Sequence, residues 1–146
     1  MKNKILEIYK KYKEVINYLI FGGLTTLVNL VVKYLLLFTI LSPQNSIQLQ
    51  TAIIISWIAA VTFAYFTNRK YVFESINKNK LKEFVSFFIA RISTLFIEMI
   101  IMWFFVTLLK LNSNLWVVIF TIISQIVVIV LNYIFSKLFI FKKADK

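Results

Sequence analysis

The sequence predicts an all-α integral membrane protein with four transmembrane helices, formed by two parallel two-helix repeats and preceded by an interfacial amphipathic helix. The first observation is composition: 60% of the 146 residues are hydrophobic, whereas a soluble globular domain has about 45–50% apolar residues. The second is the presence of four apolar stretches, each long enough to cross a hydrocarbon core of about 30 Å. The third is that most basic residues flank these stretches.

The residue inventory excludes several function classes. A net charge of +11 in a soluble protein would suggest nucleic acid as a partner. Basic residues beside membrane spans instead set topology and contact lipid headgroups, so no nucleic-acid partner is expected. The chain has no cysteine and no histidine, which excludes disulfides, thiol nucleophiles and histidine-based catalytic triads. We therefore expect no metal, no cofactor and no enzymatic activity.

Residues 1–14 form a basic amphipathic segment. Apolar side chains such as Ile5 and Ile8 share one helical face, and Lys4 and Lys10 lie on the opposite one. This pattern is typical of a helix that lies on an anionic leaflet. A signal peptide is the alternative, but no small-x-small cleavage site follows and the apolar run is too long.

The remaining chain divides into two pairs of spans. The four spans are predicted at residues 15–41, 49–67, 84–111 and 115–135. Uncharged polar turns at 42–46 and 112–114 separate the spans of each pair, and a charged connection at 69–83 joins the pairs. All but three of the 17 basic residues lie in the N-terminal segment, this connection or the C-terminal tail. The positive-inside rule then places both termini and the connection in the cytoplasm.

The two halves of the chain resemble each other. Residues 65–73 match residues 133–141 at a separation of 68, and the first spans of the two halves align at a separation of 69. Repeat one is predicted at about 15–73 and repeat two at about 84–141, within a single membrane domain. Each repeat is a two-helix hairpin, so both enter the membrane in the same sense. This predicts an approximate twofold axis along the membrane normal.

The third span contains two opposite charges, Arg91 and Glu98. At 100° per residue they lie about 20° apart, on one side of the helix. A charge in lipid costs roughly 2.5–3.5 kcal/mol on insertion scales, so these residues mark the candidate functional site. Their axial separation of about 10 Å disfavours a direct ion pair, although a structural pair across helices stays open. The repeat alignment sets Asn29 opposite Glu98 and Lys33 farther outward, which predicts one intramembrane polar cluster.

Several motifs in this order and spacing resemble the GtrA-like family of small four-span membrane proteins. They are FGGLTTLVN at 21–29, NRKYVF at 68–73, FFIAR at 87–91 and LNY at 131–133 continuing to Phe141. The resemblance covers residues 18–141. The Lys-, Ile- and Asn-rich composition is most similar to the branch linked to teichoic-acid glycosylation in Gram-positive bacteria.

The resemblance implies a flippase in the bacterial plasma membrane. Its substrate would be a monosaccharide linked to a polyprenyl phosphate such as undecaprenyl phosphate, moved from the cytoplasmic to the outer leaflet. A separate membrane glycosyltransferase would then use the sugar for cell-surface polysaccharide or teichoic acid. Many relatives have an acidic residue where this chain has Asn29, which leaves Glu98 as the candidate carboxylate. Four helices enclose little space for a headgroup, so either a homodimer forms the path, which we favour, or one hairpin pair opens toward lipid.

The chemistry of such a headgroup indicates candidate substrate-binding residues. The Arg91 guanidinium suits a phosphate diester because it can donate two parallel hydrogen bonds. Lys33 is either a second phosphate partner or a snorkelling side chain. The candidate sugar-facing groups are Thr26, Asn29, Gln125 and Asn132, of which the last two are alternatively interhelical hydrogen bonds. Asn68 and Arg69 either anchor the chain at the headgroups or recruit the substrate phosphate.

Two other functions stay open. A small proton-coupled exporter would use Glu98 as its titrating carboxylate and would move a cationic substrate. A non-transporting partner of a glycosyltransferase would tolerate Arg91→Ala and Glu98→Gln, but not surface changes in the 69–83 connection.

Overall fold

The computed structural model describes residues 2–42, 44–111 and 113–142, without the side chains of residues 2–8, 46, 102, 114, 117 and 118. All regular structure in these ranges is helical. The α-helices are α1 (Lys2–Thr39), α2 (Ser46–Thr67), α3 (Lys80–Met102) and α4 (Asn114–Phe135). Three of them continue into π-helical segments, at Asn68–Val72, Trp103–Leu108 and Ser136–Ile140.

Among the described residues, four helices are long and apolar enough to cross a membrane, which confirms the predicted fold class. They span Tyr9–Thr39, Ile47–Val72, Lys80–Leu108 and Ile119–Ile140. The predicted turn residues Pro43 and Asn112 and the tail residues 143–146 lie outside the described residues.

Two helices begin earlier than predicted because asparagine side chains cap them. The Asn45 side chain accepts hydrogen bonds from the backbone N–H groups of Ile47 and Gln48, at 3.0 and 3.2 Å. Asn79 accepts from the backbone N–H of Lys82 at 3.0 Å. Each cap satisfies donors that the first helical turn leaves unpaired. The predicted starts at 49 and 84 were therefore three and four residues too late.

The chain forms two compact units, one ending at Ser75 and the other covering Ile76–Lys142. In the first unit α1 packs against α2, and in the second α3 packs against α4. We call these units hairpin one and hairpin two. The predicted twofold axis relates one unit to the other and stays a prediction.

Both hairpins end in the same type of turn. The backbone N–H of Phe73 donates to the carbonyl of Asn68 at 2.9 Å, and that of Phe141 donates to the carbonyl of Ser136 at the same distance. These i to i+5 bonds define the π-helical geometry. The turns lie 68 residues apart, as the sequence match between residues 65–73 and 133–141 leads one to expect.

Each turn packs an aromatic ring against the first helix of its hairpin. The ring centroids of Tyr18 and Phe73 lie 6.3 Å apart in hairpin one, and those of Phe87 and Phe141 lie 5.7 Å apart in hairpin two. All four side chains are buried. The hairpins are thus closed by equivalent contacts, because the residues share their positions in the repeat.

The hairpins differ in the residues that their second helices bury. α2 buries small side chains at a spacing of four, which are Ala52, Ser56, Ala60 and Ala64. Such a stripe lets helix backbones approach closely. At the equivalent positions α4 buries Phe120, Ser124 and Asn132. Hairpin two therefore has the buried amide of Asn132 where hairpin one has Ala64.

The N-terminal segment is helical and joins the first span through a kink. The backbone of Tyr12 departs from helical geometry, with φ −112° and ψ 16°. Just after the kink, the Lys13 ammonium forms an ion pair with Glu74 at 3.0 Å, and the Asn17 amide donates to the Tyr71 carbonyl at 3.0 Å. The predicted apolar face at residues 5 and 8 lies outside the described side chains.

Candidate functional site

Hairpin two has a row of polar side chains in the predominantly apolar parts of its two helices. α3 supplies Arg91, Thr94 and Glu98, and α4 supplies Gln125 and Asn132. Since α3 and α4 run antiparallel, residues late in one helix meet residues early in the other. The row therefore pairs Thr94 with Asn132 and Glu98 with Gln125.

The Thr94–Asn132 pair is an interhelical clamp. Thr94 is 1% exposed and Asn132 5%, and the Thr94 hydroxyl lies 3.1 Å from the Asn132 amide oxygen. The same hydroxyl lies 3.1 Å from the carbonyl of Arg91 on its own helix. Buried polar groups of this kind stabilise helix packing in apolar surroundings. For Asn132 this burial favours the structural alternative over contact with a sugar.

The carboxylate of Glu98 has an amide partner. Gln125 Nε2 donates to Glu98 Oε1 at 2.6 Å, a charge-assisted hydrogen bond. Glu98 is half-buried and Gln125 is exposed. The pair is thus at least partly exposed on hairpin two.

Arg91 is held by an aromatic ring. Its guanidinium carbon lies 4.8 Å from the centroid of the buried Phe87 ring, one helical turn earlier. This is a cation–π contact, which orients the guanidinium without neutralising its charge. Within the described part of the chain no carboxylate lies at salt-bridge distance from Arg91. The alternative of a structural Arg91–Glu98 ion pair is therefore not realised, because Glu98 bonds to Gln125 instead.

The candidates of the first span lie in hairpin one. The Thr26 hydroxyl donates to the carbonyl of Gly22 on its own helix at 3.3 Å. The Lys33 ammonium lies 5.3 Å from the ring centroid of Tyr34, and Asn29 is half-buried. These residues and the Arg91–Glu98 row belong to different units, so the predicted four-residue cluster stays a prediction.

Asn68 and Arg69 begin the π-helical turn of hairpin one. Asn68 is 3% exposed, and its Oδ1 atom has no hydrogen-bond partner among the described residues. Arg69 Nη1 lies 3.4 Å from the hydroxyl of Tyr65. Hairpin two repeats this contact, since Lys137 Nζ lies 3.1 Å from the hydroxyl of Tyr133. A basic residue beside a tyrosine one turn earlier is thus a shared feature of both turns.

Comparison with known proteins identifies the family. The family model described as GtrA/DPMS, transmembrane domain, matches residues 17–141. The chain belongs to this family. The membership confirms the resemblance drawn from the sequence motifs.

Three relatives of this GtrA/DPMS-family chain cover most of its length. The cell wall teichoic acid glycosylation proteins GtcA of Listeria monocytogenes serovar 1/2a and Listeria innocua serovar 6a are each 40% identical over 131 residues. These residues make up 88% of this chain and 84% of each relative. The membrane protein YwcD of Bacillus subtilis is 33% identical over 132 residues, which are 88% of this chain and 97% of YwcD. No solved structure matches the chain.

Two residues gained importance only from the structure. Phe87 lies four positions before Arg91, a spacing that brings side chains together on a helix, so the cation–π contact could have been expected from the sequence. Thr94 lies on the same side of the helix as Arg91 and Glu98, but its partner on α4 depended on the register of hairpin two. In this GtrA/DPMS-family protein both residues hold the row in place.

Proposed function

We propose that this protein translocates a polyprenyl-phosphate-linked monosaccharide from the cytoplasmic to the outer leaflet of the bacterial plasma membrane. The sugar then serves to glycosylate a cell-surface polymer such as teichoic acid. Membership of the GtrA/DPMS family and the similarity to the cell wall teichoic acid glycosylation proteins of Listeria support this function. Four apolar helices with few polar side chains are consistent with a path for a lipid whose headgroup alone is polar.

The observation that carries the proposal is the environment of the Arg91 side chain. It lies in an apolar helix, against the Phe87 ring and without a carboxylate at salt-bridge distance in the described structure. A lone guanidinium in such surroundings is costly, and an anionic ligand would offset that cost. A phosphate diester fits because guanidinium can donate two parallel hydrogen bonds to it.

The rest of the headgroup path follows from the same chemistry. The phosphate passes Arg91 while the polyprenyl tail stays in lipid, and further candidate contacts are Thr26, Asn29, Lys33, Asn68 and Arg69. No energy-coupling step is required if synthesis inside and consumption outside maintain a gradient. A membrane glycosyltransferase consumes the sugar on the outer side. A homodimer provides space for the headgroup, since four helices enclose little space.

The orientation in the membrane belongs to the same proposal. With both termini and the 69–83 connection in the cytoplasm, Arg91 lies nearer the cytoplasmic end of its span and Glu98 nearer the middle. On its way out, the phosphate would then reach the level of Arg91 before that of Glu98.

A vesicle assay tests this function. The protein is reconstituted with a labelled polyprenyl-phosphate sugar in the inner leaflet, and a membrane-impermeant oxidant reports the sugar that reaches the outer leaflet. We expect the native protein to accelerate exposure and Arg91→Ala to slow it about tenfold or more, since hydrogen bonds to charged groups contribute about 1.5–3 kcal/mol. Lys78→Ala is the matched control, because it removes one positive charge from an exposed residue of the connection.

The same assay separates the other functions. A proton-coupled exporter requires a rate that follows an imposed pH gradient, whereas the proposed flippase does not. A non-transporting partner of a glycosyltransferase gives the same slow exposure as empty vesicles. Equal rates for the native protein and Arg91→Ala would contradict the proposal.

A further inference from the structure

The polar row of hairpin two has two chemically different ends. Arg91 lies at one end and the Glu98–Gln125 pair at the other, about 10 Å apart along the helix axis. The buried Thr94–Asn132 clamp lies between them. One end therefore offers positive charge, and the other offers mainly hydrogen-bond acceptors.

The Glu98 end is unsuited to a phosphate. An ionised carboxylate accepts hydrogen bonds and repels an anion. After the bond from Gln125 Nε2 at 2.6 Å, the second carboxylate oxygen has no partner among the described residues. The Gln125 amide adds one acceptor and one further donor. Several acceptors with a single donor suit a ligand with neighbouring hydroxyl groups.

The pair is accessible, unlike the clamp beside it. Gln125 is exposed and Glu98 half-buried, whereas Thr94 and Asn132 are buried. A ligand can therefore reach the free oxygens of the pair without opening the hairpin.

Stacked aromatic rings follow the pair along hairpin two. The ring centroids of Phe105 and Phe120 lie 4.3 Å apart, and those of Trp116 and Phe120 lie 5.8 Å apart. Phe120 precedes Gln125 by five residues, about 7.5 Å along α4. Beyond this stack the row offers no further charge in the described part of α3 and α4. The polar part of the row thus spans about 10 Å, from Arg91 to the Glu98–Gln125 pair.

We propose that Glu98 and Gln125 recognise the sugar hydroxyls of the lipid-linked sugar phosphate, while Arg91 binds its diester. This inference rests on the proposed function and adds a specificity determinant to it. The pair distinguishes the sugar-bearing lipid from the bare polyprenyl phosphate that returns after the sugar is consumed. Such discrimination keeps the empty carrier from competing for the site.

The repeat indicates that this recognition belongs to hairpin two. The positions equivalent to Glu98 and Gln125 in hairpin one hold Asn29 and Trp57, and the position equivalent to Arg91 holds Gly22. At these positions hairpin one therefore has neither a carboxylate–amide pair nor a guanidinium.

A binding experiment tests the division of roles. The full chain in lipid nanodiscs is titrated with polyprenyl phosphate and with its glucose, galactose and N-acetylglucosamine derivatives. We expect the native protein to bind at least one sugar derivative about tenfold more tightly than bare polyprenyl phosphate. Glu98→Gln and Gln125→Leu should reduce this preference to about twofold and leave the affinity for bare polyprenyl phosphate unchanged. Arg91→Ala should weaken the binding of all four ligands.

Controls separate recognition from folding and association. Gln50→Leu removes an exposed amide from α2 and should retain the native preference. Glu98→Gln keeps the size of the side chain and its capacity to accept from Gln125, so the fold should survive. Monodispersity and thermal unfolding check each variant.

Several results would overturn the assignment. If Glu98→Gln and Gln125→Leu weaken the binding of all four ligands equally, or leave the preference intact, sugar recognition by the pair is contradicted. A change in oligomeric state without a change in preference would make the pair a contact between copies. In these cases translocation dependent on Arg91 can still be observed in vesicles. A native protein that binds none of the four lipids would instead contradict the proposed function itself.

Discussion

Gln125 Nε2 donates to Glu98 Oε1 across hairpin two at 2.6 Å. This contact decides between two interpretations of the charged residues in the third span. Glu98 accepts a hydrogen bond from the amide of Gln125 on α4, and Arg91 makes a cation–π contact with the Phe87 ring. The positive and negative charges are therefore held separately, about two helical turns apart, and each can act on a different part of a ligand.

The first prediction concerns this interhelical bond. Gln125→Leu should lower the stability of the protein by about 1 kcal/mol, because the Glu98 carboxylate loses its donor. Adding Glu98→Leu should recover part of the loss, since the unpaired carboxylate is then removed. Thermal unfolding in detergent of the two single variants and the double variant measures the coupling. Strictly additive losses would show that the two side chains do not support each other.

The second prediction concerns the buried clamp. Thr94→Val keeps the shape of the side chain but removes the hydroxyl that contacts Asn132, so we expect a loss of about 1–2 kcal/mol. Thr25→Val is the matched control, because Thr25 occupies the equivalent position of hairpin one. Its hydroxyl donates at 2.8 Å to the carbonyl of Phe21 on the same helix. A loss for Thr25→Val as large as that for Thr94→Val would contradict the clamp.

The sequence predicted the helices better than it predicted the partners of polar side chains. Long apolar runs and the repeat were sufficient for four spans, because hydrocarbon requires helices that satisfy their own backbone. The predicted starts of α2 and α3 were too late because Asn45 lay in the predicted turn and Asn79 in the predicted connection, whereas both cap the helices that follow them. The partner of Glu98 could not be chosen, since a shift of one helical turn in hairpin register would offer it a different residue of α4.

The third prediction separates the cation–π contact from ordinary packing. Phe87→Leu should slow translocation several-fold, because Arg91 loses the ring that orients it. Tyr18→Leu is the matched control at the equivalent position of hairpin one, where the ring also packs against a phenylalanine. Both variants lose an aromatic contact, but Gly22 stands where Arg91 would be. Vesicle assays at equal protein density measure the rates, normalised to folded protein.

Phe87→Leu and its control Tyr18→Leu should differ in the rate of translocation more than in stability. Comparable unfolding temperatures together with slower transport for Phe87→Leu alone would support an orienting role. Equal slowing by both variants would instead indicate that closure of either hairpin limits the rate, and the cation–π contact would then have no separate role.

The fourth prediction concerns orientation, and the absence of cysteine makes it simple to test. Single cysteines can be introduced as Lys78→Cys in the connection and Gln44→Cys in the turn before α2, both at exposed positions. Because basic residues stay on the cytoplasmic side, an impermeant thiol reagent added to intact cells should label Gln44→Cys and spare Lys78→Cys until the cells are opened.

The reverse pattern would place Arg91 near the outer leaflet, so the phosphate would meet Arg91 last and the proposed direction of transport would be wrong. Labelling of both variants in intact cells would indicate two orientations of the same chain.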